Sequence, residues 1–198
     1  MSSDTERPVT VRTSERGAAT RGALLDAARE VFITRGFAEA GVTEVVSRAG
    51  ASVGSLYHHF SGKADLYLTL FEEFQSRQMQ RTKQAVQGAR GEGESDPLRL
   101  FVVGARAYLG GCFDEKELAA LFLRGDGPPG FEVLMRDRMR QWVRRNAALF
   151  GDEKGALVVV VTGALAAAVS EVVLSEDVAA ARGFSEEVLK IIGQIPRP

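Results

Sequence analysis

The stretch 43–63, TEVVSRAGASVGSLYHHFSGK, constrains this chain more than any other, because it places two short helix-like segments around a tight Ala49-Gly50-Ala51 turn. Val45, Val46 and Ala49 form one apolar stripe, and Leu56 and Phe60 form a second at i, i+4 spacing. Gly50 between them is the residue able to take positive φ, and Ser52 stands where the N-cap of the second segment belongs. This is the pattern of a helix-turn-helix, which sets one helix to enter a DNA major groove.

Composition bounds the rest. A chain of 198 residues, 45% hydrophobic, can bury one good core or a small N-terminal unit beside a larger one. The formal net charge is −1, and residues 1–62 carry seven Lys/Arg against seven Asp/Glu, so electrostatics alone does not point to nucleic acid. One cysteine excludes a disulfide framework. The N-terminus lacks the basic, apolar and small-residue order of a signal peptide, which makes the cytoplasm the expected compartment.

Residues 1–19 are polar, carry Arg7, Arg12 and Arg16, and lack an apolar period, so they read as a flexible N-terminal arm. A first helix is expected from Thr20, with Leu24, Leu25, Ala28, Val31 and Phe32 at helical spacing until Gly36 stops the run. A second spans about 42–49 and a third about 52–60. A fourth runs from Lys63 to about Val86, with Leu66, Tyr67, Leu70, Phe71 and Phe74 on one side, and fades in the Gly/Glu-rich stretch 88–95. Asp96 and Pro97 make an N-cap and N1 pair for a fifth. A sixth fits 114–123, a loop GDGPPG follows at 125–130, and a seventh runs from Phe131 to Phe150. An eighth is expected over about 153–175. A ninth is expected from Ser185, with Glu186 and Glu187 in its first turn. No stretch alternates with period two for long, so the fold is read as all-α with about nine helices, the β-like run 158–161 included.

Thr20 to Lys63 resembles the DNA-binding domain of the TetR family of one-component transcriptional regulators. The elements carrying the resemblance are Leu24-Leu25-Asp26-Ala27-Ala28, Phe32, Gly36-Phe37, Ala49-Gly50, Ser52, Gly54, Leu56-Tyr57, His59-Phe60 and Lys63. It implies a helix-turn-helix domain over 20–63 and a C-terminal helical domain over 64–198 that binds an effector and forms the dimer. It also implies that Tyr57, His58, His59 and Lys63 face the phosphate backbone, while Thr43, Ser52, Val53, Gly54 and Ser55 approach base edges or nearby phosphates. Two positions depart from the family pattern. Ala40-Gly41 stands where Thr or Ser often opens the second helix, and Ala51 replaces the usual valine after the turn glycine.

The physical chemistry of those residues fits that division. Lys63 supplies a point charge, Tyr57 a hydroxyl on a rigid ring, and Gly54 the room for close approach. Segment 52–60 contains no Arg, Lys, Asn or Gln, so the usual bidentate readers of guanine and adenine are missing. Readout is then expected from thymine-methyl packing by Val53, from the hydroxyls of Thr43, Ser52 and Ser55, and from DNA shape, with the arm arginines as candidates for the minor groove.

Blander readings account for other conspicuous residues. His58 and His59 are adjacent on a helix and point about 100° apart, which is poor geometry for chelating one metal ion. Cys112 lies on the apolar stripe of the fifth helix and reads as a small buried hydrophobe. The arginines 136, 138, 140, 144 and 145 read as a solvated helix face. The uncharged run 155–170 is short for a membrane span. With Gly163, Ala164, Ala167 and Ala168, and with Val188, Ile191, Ile192 and Ile195 of the last helix, it reads as half of a four-helix dimer seam. Phe101, Tyr108, Phe122, Met135, Met139 and Trp142 are the candidates to line an effector cavity.

Together these readings describe a homodimeric regulator of transcription, a ligand-responsive repressor on a palindromic operator, with a small apolar effector as its second partner. No cofactor, metal or membrane is expected. No nucleophile motif, phosphate loop or metal-ligand spacing supports an enzyme. The alternative is a dimeric protein-interaction module that no longer reads DNA, favoured by the neutral N-terminal third.

Overall fold

Apolar side chains three and four positions apart bury best on helices. The computed structural model describes residues 9–151 and 155–196, and among them every regular element is an α-helix. In chain order these are α1 (Val9–Glu39), α2 (Val42–Arg48), α3 (Val53–His59), α4 (Lys63–Gly91), α5 (Pro97–Asp114), α6 (Lys116–Leu123), α7 (Phe131–Phe150), α8 (Gly155–Leu174) and α9 (Val178–Gly193). The chain divides between Leu70 and Phe71 into two compact units, so the first two turns of α4 belong to the first unit and the rest to the second.

In the first unit, Leu24, Leu25, Ala28, Val31 and Phe32 of α1 are buried with Val45 and Val46 of α2, Leu56 and Phe60 at α3, and Leu66 and Tyr67 of α4. Gly36 breaks α1 at φ 78°, ψ 171°, at the position where the sequence stops the apolar run. The start of α1 differs from expectation. Thr20 lies inside the helix, its Oγ1 donating to the Arg16 carbonyl at 2.9 Å, and the helix reaches back to Val9. The apolar period that marks a helix begins only at Leu24, but good formers such as Glu15, Arg16, Ala18 and Ala19, all exposed, extend it by propensity. Residues 1–8 of the expected arm lie outside the described residues.

The second unit is organised on α8, which packs against α5, α6, α7 and α9. Val158, Val161, Leu165, Ala168, Val172 and Val173 of α8 are buried. Their neighbours Val159, Val160, Gly163, Ala164 and Ala167 are exposed. By length and apolarity alone α8 could cross a membrane, yet nearly half of it is core.

Helix α9 begins at Val178 rather than Ser185. The Asp177 carboxylate accepts hydrogen bonds from the Ala179 and Ala180 amides, both at 2.9 Å, and so supplies the cap. Ser185 is buried mid-helix, donating to the Arg182 carbonyl. Of the small and apolar residues expected on a seam, Ala168 and Ile192 face the core instead, because each falls on the inner side of its helix.

Candidate nucleic-acid interface

The turn between α2 and α3 closes by hydrogen bonds that the sequence makes possible. Gly50 sits at φ 60°, and the next amide, Ala51 N–H, donates back to the Val46 carbonyl at 2.9 Å. Gly50 N–H donates to Ser47 at 3.3 Å, completing a Schellman end to α2. Helix α3 then opens on Ser52, whose Oγ accepts from the Ser55 amide at 3.1 Å. Gly41 at the start of α2 provides no side-chain cap, as its lack of a side chain dictates.

Leu56 and Phe60 hold the inner side of α3. Val53, Gly54, Tyr57 and His58 therefore share its outer side, with Val53 44% and Tyr57 56% exposed. Thr43 on α2 and Ser52 are exposed beside them, and Ser55 and His59 are half-buried. A side chain at Gly54 would meet nothing closer than Ser52 Oγ at 3.9 Å, so that approach is open. His59 lies against α1 at Gly17, and the Arg21 guanidinium stands 5.2 Å from the centroid of the Phe60 ring.

Ion pairs tie α2 to α1. Arg48 reaches Glu30 at 2.7 Å and Glu44 at 3.9 Å, and Arg35 reaches Glu44 at 3.8 Å. These exposed pairs add little stability, but they engage two of the head's cations within the protein. Lys63 is also engaged. Its Nζ donates to the Ala38 carbonyl at 3.0 Å and stands 4.5 Å from the centroid of the Phe37 ring. Spacing in the sequence carried no signal for that arrangement, since the partners are 25 residues apart.

Residues 24–70, the segment that builds this head, match the family model described as bacterial regulatory proteins, tetR family. This head belongs to the tetR family. Curated relatives match over the same part of the chain. The HTH-type transcriptional activator FasR of Mycolicibacterium smegmatis is 44% identical over 66 residues, covering 33% of this chain and 30% of FasR. The HTH-type transcriptional repressor BepR of Brucella suis is 39% identical over 59 residues, covering 30% of this chain and 28% of BepR. The match thus spans under a third of either relative's length. The solved structure of a SmeT–triclosan complex has a TM-score of 0.70 at 18% identity, covering 91% of this chain and 98% of that one. At that identity the likeness establishes the fold, and it extends beyond the TetR-family head into the helices that follow.

In the second unit the six cavity candidates fall into separate groups. Tyr108 and Trp142 meet at 5.2 Å between ring centroids, with planes tilted by 30°. Phe122 belongs to a cluster with Phe71, Phe74 and Phe131. Phe101 is buried and packs on Phe150 at 6.0 Å. Met135 is half-buried, and Met139 is 38% exposed. Burial pushes the Tyr108 hydroxyl well above the usual phenol range, with a smaller contribution from Cys112.

Sequence reasoning missed Gln78 and Thr82. Gln78 is fully buried, and both its Oε1 and the Thr82 Oγ1 have no hydrogen-bond partner among the described residues. The Gln78 amide nitrogen donates to Glu115, which the Arg77 guanidinium grips through both carboxylate oxygens. The signal existed: Gln78 continues the stripe of Phe71 and Phe74 at spacings of seven and four.

Proposed function

We propose that this chain is a homodimeric, DNA-binding regulator of transcription, a ligand-responsive repressor that reads a palindromic operator with one α3 per half-site. The observation that carries the reading is the outer side of α3, where a valine, a bare glycine and an aromatic hydroxyl stand in solvent on a helix anchored from behind. Thr43, Ser52, Val53, Gly54 and Ser55 meet base edges or the phosphates beside them, and Tyr57, His58, His59 and Lys63 meet the backbone. The match of the head to a named activator and a named repressor supports DNA binding. The half-sites lie one DNA turn apart, ~34 Å.

The exposed apolar side chains of α8 and α9, among them Val159, Val160, Leu174 and Ile191, support pairing with a second copy. An isologous seam of that kind matches a palindrome by symmetry. The effector is a small apolar molecule held in the second unit beside the stacked pair Tyr108 and Trp142. The protein works in the cytoplasm.

The decisive experiment measures binding of the purified protein to the DNA upstream of its own gene at several salt concentrations. Affinity should fall steeply with salt, and Val53→Ala should alter preference at one base pair. A flat salt response would favour the protein-interaction module. Trp142 is the only tryptophan, so its fluorescence reports effector binding, with triclosan as a first probe.

A further inference from the structure

Met139, Trp142 and Arg145 follow one another at intervals of three on α7, so they form a row down one side of that helix. The middle of the row is fixed against α5, where the Trp142 ring meets Tyr108 at 5.2 Å with planes tilted by only 30°. Both rings are half-buried, and Met139 and Arg145 at the two ends are exposed. The row thus grades from an apolar thioether, across two aromatic rings, to a guanidinium. The arginines beside it are engaged: Arg138 pairs with Glu72 of α4, and Arg140 with Asp137 at 3.0 Å. At the end of α5, Arg77 holds Glu115 and Arg81 holds Asp114 at 2.8 Å, so these carboxylates are engaged too. Arg145 has no acid partner among the described residues, and its charge is felt instead at the Tyr108 hydroxyl. Burial keeps that hydroxyl protonated, so it supplies no counter-charge. A cation of this kind beside apolar rings favours an anion that brings its own apolar surface.

We propose that the effector is an amphipathic organic acid, its apolar body lying along Met139, Trp142 and Tyr108 and its carboxylate accepting hydrogen bonds from the Arg145 guanidinium. The inference rests on the effector reading above and adds the charge. A planar guanidinium holds a carboxylate through two parallel N–H bonds, whereas a neutral amide of the same shape offers it a single uncharged oxygen.

The test titrates the full-length protein with two probes of one shape, p-tert-butylbenzoate and the neutral p-tert-butylbenzamide, and follows the fluorescence of Trp142. At neutral pH the benzoate should bind about tenfold tighter than the benzamide. Arg145→Gln should remove that advantage by weakening the benzoate alone, and Arg145→Lys should keep part of it. Arg144→Gln, which removes the adjacent charge about 100° round the helix, should change neither probe. An equal loss of benzoate affinity in Arg144→Gln and Arg145→Gln would overturn the pairing, because it marks a diffuse field. Equal affinities of the two probes for the wild type would overturn the acid and leave the effector reading standing. If neither probe alters the fluorescence, the acid and the effector site at Trp142 fall together, while DNA binding is decided separately by the salt titration of upstream DNA.

Discussion

Gln78 occupies the space that a side chain on Gly111 would need. A Cβ there would overlap Gln78 Oε1 and stand 2.9 Å from an Arg81 nitrogen. Helix α5 therefore presents a hole into which α4 inserts a polar knob. Gly104, seven residues earlier, faces Thr82 and Val86 in the same way, at 3.1 Å each.

Gly111→Ala should destabilise the protein by roughly 1–3 kcal/mol, because the Gln78 amide is enclosed and tied to Glu115 and cannot step aside. Gly110→Ala, one residue away, should stabilise by up to about 1 kcal/mol, since nothing lies within 4 Å of its Cβ position and alanine is the better helix former. Denaturant titration of both variants should give opposite signs.

Thr82→Val removes a buried hydroxyl oxygen that has no partner among the described residues, while keeping the shape of the side chain. The expected gain is about 1 kcal/mol, read as a higher denaturation midpoint. A loss would mean that the hydroxyl is served by solvent.

Ser52→Ala removes the acceptor of the Ser55 amide and should cost the head about 1 kcal/mol. Ser52→Gly should cost only a few tenths, because water then reaches the freed amide. Hydrogen exchange at Ser55 separates the two.

Cys112 is buried, and that burial, followed by the nearby Glu115 carboxylate, pushes its thiol up to about 12. The folded protein holds this proton to a higher pH than the unfolded chain does. The associated stability is therefore complete below the ordinary thiol range near 8.5 and is lost as the pH rises toward about 12. Iodoacetamide at about pH 8 should leave the native thiol unmodified and label it rapidly in guanidinium. Fast native labelling would show that α5 opens locally.

Val160→Glu and Ile191→Glu place charges on side chains that are 60% and 59% exposed. Each variant should keep its helical circular dichroism and sediment as a monomer. Val161→Glu, at a fully buried neighbour, should instead unfold the second unit.

Much of this molecule is written in local pattern. The outer side of α3 could be read directly, since Leu56 and Phe60 fix which side is inward and Ser52 fixes where the helix starts. Asp177 also carried its signal, an aspartate ahead of Val-Ala-Ala-Ala, but Gly183 and the weak apolar period around it disguised a helix, and Ser185-Glu186-Glu187 imitated its beginning. What stayed illegible depends on partners distant along the chain. Lys63 meeting Ala38, Gln78 meeting Gly111, and the separation of Phe122 from Tyr108 and Trp142 are set by packing that no spacing rule encodes.

Helix α4 runs unbroken for 29 residues from the head into the second unit. At 1.5 Å per residue it is a rod of about 43 Å, stiffened along its length by its own ladder of backbone hydrogen bonds.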